Sequence, residues 1–217
     1  ALYLPVFLFF LNFAILTYFP ALGFPLTEPR NYFFANLLYM TVNFAVMLLI
    51  FRRTLWQSLR EFEGKMLLSV LIGFGMCYGA NLVLTTAYTV LDIMPENYNQ
   101  EAVNSLLGGY PLAMTLCTVV LAPLAEECLF RGVLFAPLAR RCLPAAYALS
   151  MFLFAGMHVF QFLGSMTAAN TILCLSLYLP ASFSLCWVYQ KTGNIWAGIF
   201  LHMFINFQSV LASLLRS

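Results

Sequence analysis

The chain has 217 residues, of which 63% are hydrophobic and only 8% charged, and its mean hydropathy is +0.89. Soluble domains carry about 25% charged residues, so this chain has too few to clothe a soluble surface. That excludes a soluble enzyme, a nucleic-acid binder and a disordered chain, and points to an all-α, polytopic membrane protein. An outer-membrane barrel is disfavoured because the apolar runs are continuous and do not alternate every second residue.

A membrane span needs roughly 20 apolar residues. Seven apolar stretches of about that size follow in order: 2–19, 33–51, 66–91, 111–139, 144–163, 170–189 and 194–215. Pro20, Pro25 and Pro29 fall in the first break, and the charged run from Arg52 to Lys65 makes the second. In the third stretch Gly75 and Gly79 form a small-xxx-small pair that suits close helix packing. From Asp92 to Asn104 the chain is acidic and Asn-rich and reads as a loop.

The fourth stretch would reach about 43 Å as one straight helix. Pro123, Gly132 and Pro137 are therefore expected to kink it, leaving a short interfacial helix at its end. Lys191-Thr192-Gly193-Asn194 reads as a tight turn. We read one integral membrane domain, with 1–104 supplying N-terminal transmembrane helices and 105–217 the helices that carry buried polar residues.

By the positive-inside rule, the loop 52–65, Arg140–Arg141 and Lys191 are expected to be cytoplasmic, together with the N-terminus. The chain starts at Ala1 without a basic, cleavable signal segment, and reads as a processed, trimmed or engineered product. All six cysteines lie in or beside apolar runs and are expected to be packing residues.

Five ionisable residues fall inside the spans: Glu126, Glu127, Arg131, His158 and His202. A charge at a helix centre costs at least ~2.5–3.5 kcal/mol in a bilayer, so each needs a partner or a function. Glu127 and Arg131, four apart, share a helix face and can pair. Glu126 points elsewhere and has no local cation.

His158 can be a hydrogen-bonded packing residue. His202 and Asn206, also four apart, can be an interhelical patch. At ~1.5 Å per residue, however, Glu126, His158, His202 and Asn206 reach comparable depths on three helices. Together they are the parts of a water-activating site: a carboxylate base, imidazoles and an amide donor. HExxH, an aspartyl pair and a nucleotide-binding Gly-rich loop are absent from the sequence, and no nucleotide or nucleic acid is expected as a partner.

Glu126-Glu127-Cys128-Leu129-Phe130-Arg131 resembles an EExxxR motif, Phe154-Ala155-Gly156-Met157-His158 an FxxxH motif, and His202-Met203-Phe204-Ile205-Asn206 an Hxxx(N/D) motif. In this order on separate helices they resemble the CAAX protease and bacteriocin-processing (Abi) family of intramembrane proteases. The resemblance implies an endopeptidase with Glu126 as general base on a water held with His158. It implies His202 and Asn206 as oxyanion and water-positioning groups, with Glu127, Arg131 and Phe154 in support.

A metal-free site is favoured. The alternative is a divalent metal such as zinc on Glu126, His158 and His202, with water as fourth ligand. The expected partners are a peptide or membrane-protein substrate and the lipid bilayer, in a bacterial plasma membrane. The rival readings are a non-enzymatic role in bacteriocin self-immunity or scaffolding, and a proton-coupled transporter.

Overall fold

The computed structural model describes residues 3–216, except for the side chains of residues 3–10 and 16. Among the described residues the chain is helical without a strand. In order it forms α1 (Tyr3–Ala21), α2 (Pro29–Arg60), α3 (Lys65–Val90) and α4 (Tyr98–Gly109), then α5 (Pro111–Ala139), α6 (Leu143–Val159), α7 (Ala168–Thr192) and α8 (Ile195–Leu214).

Six of these are long and apolar enough to cross a membrane: α2, α3, α5, α7, α8, and α6 with its 3-10 continuation to Ser165. The seventh expected span, 2–19, corresponds to α1 and lies partly outside the described residues. Large apolar side chains such as Leu67, Leu71, Leu82 and Val83 face outward on α3, as in a protein solvated by lipid.

α5 is the central helix: 44% of its apolar window is buried, against 17% for α3. α2 and α8 pack along α5, while α7 packs against α6, α3 and α8. α5 departs from regular α geometry near the expected positions without being interrupted. Its path stays helical through Pro123 and Pro137 because each follows a π-helical segment, Cys117–Leu121 and Cys128–Phe135. A proline lacks an N–H and collides with the carbonyl of the preceding turn. The wider i→i+5 turn accommodates both demands without ending the helix. The expected interfacial helix is therefore only the last turn of α5.

The acidic stretch read as a loop also differs, because its second half is α4. Asn97 caps that helix, its side chain accepting from the Gln100 N–H at 3.1 Å, and this satisfies a donor that a helix start leaves open. The preceding residues are strapped to α7. Glu96 N–H donates to the Asn170 side chain at 2.9 Å, and Asn170 Nδ2 returns a bond to the Glu96 carbonyl at 3.0 Å.

The tight turn is present. Gly193 sits at φ 64° as the left-handed helix stop, a conformation glycine adopts without strain. Asn194 then caps α8, and its Nδ2 donates to the Ser58 carbonyl at 2.7 Å. Ile195 N–H reaches Ser58 Oγ at 3.1 Å and Trp196 Nε1 the Leu55 carbonyl at 2.8 Å. The start of α8 is thus fixed to the end of α2.

Gly75 and Gly79 do not make the expected close contact, and a Cβ at either would meet open space. The close approach is at Gly73, where a Cβ would lie 2.5 Å from Val188 and 2.9 Å from Leu201. Two residues, about 200° around the helix, separate the packed Gly73 from the open Gly75. Five of the six cysteines are buried, Cys142 is exposed, and all are free thiols.

Candidate active site

The six residues Ala122–Glu127 form an ordinary helical segment between the two π segments of α5. Adjacent helical positions point about 100° apart, so Glu126 and Glu127 face different neighbours. Glu127 is fully buried, and Oε1 accepts from Arg131 Nη1 at 3.0 Å and from His202 Nδ1 at 2.8 Å. Four residues make just over one α turn and just under one π turn, so the Glu127–Arg131 pair survives the change of helix type.

Arg131, also fully buried, donates through Nη2 to the Ser182 carbonyl at 3.1 Å. Its guanidinium lies 5.2 Å from the Phe154 ring centre. Burying two charges costs several kcal/mol per ion unless their hydrogen bonds are made. Here Glu127 Oε1 takes two donors and the guanidinium finds a carboxylate, a carbonyl and an aromatic face, while Glu127 Oε2 and Arg131 Nε are buried without a hydrogen-bond partner.

The site depends on one glycine that sequence reasoning missed. A Cβ on Gly198 of α8 would lie 3.1 Å from Glu127 Oε2. A glycine inside a helix costs roughly 1 kcal/mol relative to alanine, and its place here is to admit the carboxylate.

Glu126 takes neither of these donors. Its Oε2 lies 3.8 Å from His202 Nε2, longer than a hydrogen bond, and has no hydrogen-bond partner. Its side chain is 19% exposed, unlike that of Glu127. Because an arginine-paired carboxylate is an acceptor, His202 must carry a proton on Nδ1, which turns Nε2 towards Glu126. His158 is oriented the same way: its Nδ1 is 2.9 Å from the Phe154 carbonyl, which can only accept. Nε2 is the free nitrogen of both rings.

Phe154 stands between the two histidines, with ring centres 4.9 Å from His158 and 5.6 Å from His202. His158 lies within electrostatic reach of both Glu126 and His202. Glu126, Glu127, Arg131, Phe154, His158 and His202 thus share one region. Asn206 lies one turn beyond His202 and donates from Nδ2 to the Thr118 carbonyl at 2.9 Å, in the first π segment.

Tyr178 of α7 was also missed. Its ring stacks on His158 with centres 4.5 Å apart. Its hydroxyl donates to Asn97 Oδ1 at 3.0 Å and accepts from Asn99 Nδ2 at 3.2 Å. No local spacing signals this contact, because it joins residues from three separate elements. Among the described residues, no three His, Cys, Asp or Glu side chains are grouped closely enough to hold a metal ion. Glu126, His158 and His202 as placed do not form a ligand set.

Fold and cluster together define a polytopic helical membrane protein with a group of ionisable side chains buried among its helices. The comparisons agree with that class. Residues 108–208 match the family model described as "Type II CAAX prenyl endopeptidase Rce1-like".

Two bacterial relatives are similar. "Putative membrane peptidase YdiL" of Bacillus subtilis (strain 168) is 28% identical over 166 residues, covering 74% of this chain and 64% of the relative. "UPF0177 protein YxdF" of Lactococcus lactis subsp. lactis (strain IL1403) is 27% identical over 127 residues, covering 58% of this chain and 65% of the relative. The matched part spans just under two thirds of each relative's length. No solved structure matches.

Proposed function

We propose that the protein is an intramembrane endopeptidase of the CAAX type in which Glu126 activates a water molecule. The observation that carries this reading is the division of labour between adjacent carboxylates. Glu127 Oε1 is occupied by Arg131 and His202 and the side chain is sealed in the core, while the Glu126 side chain takes neither donor and is partly open. A carboxylate so placed, beside two imidazoles that present Nε2, is equipped to take a proton from water.

Two carboxylates and one guanidinium leave a net charge of −1, which one mobile proton neutralises. On His202 that proton makes Nε2 a charged donor towards the oxyanion of the tetrahedral intermediate. The proton that Glu126 takes from the water is then available to the leaving amine. Glu127 and Arg131 hold the His202 ring in register, as a carboxylate partner does in other acid–base sites. Asn206 contributes the second hydrogen of its amide to the oxyanion region. No step is routed through a metal.

The substrate is a peptide or a membrane-protein tail reached within the bilayer. The bacterial relatives support a bacterial plasma membrane. The basic residues Arg140, Arg141 and Lys191 face the cytoplasm, with the N-terminus on the same side.

The test uses the purified full chain in liposomes with internally quenched peptides ending in a farnesylated CAAX box or its unprenylated twin. Cleavage of either, reduced at least 100-fold by Glu126→Gln with unfolding unchanged, supports the proposal. Undiminished cleavage by Glu126→Gln removes Glu126 as the base. Cleavage of neither peptide removes the CAAX assignment.

A further inference from the structure

α2, which packs along α5, carries a further buried polar atom without a partner. Asn43 is 7% exposed, and its Oδ1 makes no hydrogen bond. Tyr39, one turn earlier, has its hydroxyl against the Asn43 amide and lies within electrostatic reach of Glu126.

α2 and α5 run in the same direction. Phe33 stacks on Tyr110 with ring centres 3.8 Å apart near their starts. Phe51 fills the space beside Gly132, where a Cβ would lie 2.5 Å away, towards their ends. Between those contacts, residues 39 and 43 pass the segment that holds Thr118 and Glu126, and Met47 joins Leu124 and Cys128 in the core. Thr118 Oγ1 is likewise buried without a partner.

Two side-chain oxygens that only accept cannot satisfy each other. A molecule with two donor hydrogens satisfies both, and the reaction already requires one: water. We propose that Asn43, oriented by Tyr39, is a positioning residue whose Oδ1 accepts one hydrogen of the water whose other hydrogen goes to Glu126. This rests on the catalytic reading above.

In the step itself, the water oxygen bonds to the scissile carbonyl carbon as one proton moves to Glu126. The second hydrogen remains on that oxygen, held by Asn43, and aims the lone pair at the carbon. The proton on Glu126 then passes to the amine as the C–N bond breaks. The arrangement puts a wall of the reaction centre on α2, outside the 108–208 segment that the family model covers.

The experiment compares wild type, Asn43→Leu, Tyr39→Phe, Glu126→Gln and the control Asn36→Leu, whose amide bonds only to the Tyr32 carbonyl of its own helix. All are the full chain in liposomes, checked for unchanged thermal unfolding. One arm is the pH-induced infrared difference spectrum, with the Glu126 carboxyl band assigned by its loss in Glu126→Gln. The other arm is kcat and KM on the farnesylated and unprenylated peptides.

The expected result is a shifted Glu126 band in Asn43→Leu, a smaller shift in Tyr39→Phe and none in Asn36→Leu. Asn43→Leu should also lower kcat 10- to 100-fold with KM within twofold. An unshifted band in both α2 variants, or an unchanged kcat in Asn43→Leu while Glu126→Gln is inactive, overturns the inference. Since the infrared arm needs no turnover, a shifted band with an active Glu126→Gln would sink the catalytic reading and leave the shared hydrogen bonding intact. Should Asn43→Leu fail to fold, Tyr39→Phe, which removes one oxygen, decides by the same band.

Discussion

The buried Glu127–Arg131 pair offers a quantitative test of what holds the site in place. With N and O 3.0 Å apart and an effective dielectric of ~20, their attraction is about 5.5 kcal/mol before desolvation is subtracted. Removing one partner strands the other charge in a fully buried position, which costs ~3–5 kcal/mol. Arg131→Met should therefore destabilise the protein by about that amount. Glu127→Gln should cost somewhat less, because a glutamine oxygen still accepts from His202.

The double variant Arg131→Met/Glu127→Gln strands no charge. It should cost about 1–3 kcal/mol for hydrogen bonds left unmade. The coupling energy of the cycle is then at least ~2 kcal/mol, with the double variant more stable than Arg131→Met alone. Equilibrium unfolding in mixed micelles, followed by tryptophan fluorescence, measures all four proteins. A cost below 1 kcal/mol for Arg131→Met, or a double variant at the sum of the singles, would show that the pair is not buried as described.

The same structure makes further predictions. Gly198→Ala presses a methyl group against Glu127 Oε2 and should cut peptide cleavage at least 10-fold, whereas Gly79→Ala, at a position with open space, should leave cleavage and unfolding unchanged. Tyr178→Phe keeps the stack on His158 but loses the bonds to Asn97 and Asn99, so its cleavage should fall only a few-fold; Tyr178→Ala should fall much further, and equal losses in the two would refute the stacking role. Ser58→Ala removes the acceptor for Ile195 N–H at the start of α8 and should cost about 1–2 kcal/mol in the unfolding assay. Incubation with a strong chelator should leave cleavage intact, and a loss restored by added zinc would refute the metal-free mechanism.

Much of the architecture was legible because it depends on local chemistry. Apolar runs long enough to span lipid mark the helices, and the charges that lipid excludes mark their ends. Misreadings arose where local signals conflicted. Prolines 123 and 137 marked where α5 is irregular, but not that it continues past both through wider π turns while packed against α2 and α8. The stretch 92–104 read as loop because it is acidic and Asn-rich, yet Asn97 caps a helix that starts at Tyr98 and buries Leu106 and Leu107.

For the site, the sequence by itself determined the cast: the few ionisable residues within spans, the i,i+4 spacing of Glu127 and Arg131, and the lack of any local cation for Glu126. Those follow from helix geometry along one chain segment. Only the tertiary structure decided which carboxylate His202 meets. Spacing on α5 says nothing of the rotation of α8, so His202 Nδ1 on Glu127 and Nε2 towards Glu126 was not readable. Nor were Gly198, Tyr178 and Asn43, whose roles arise where separate helices touch. A helix specifies its own periodicity, but which of its faces meets which neighbour is settled by packing across the whole bundle.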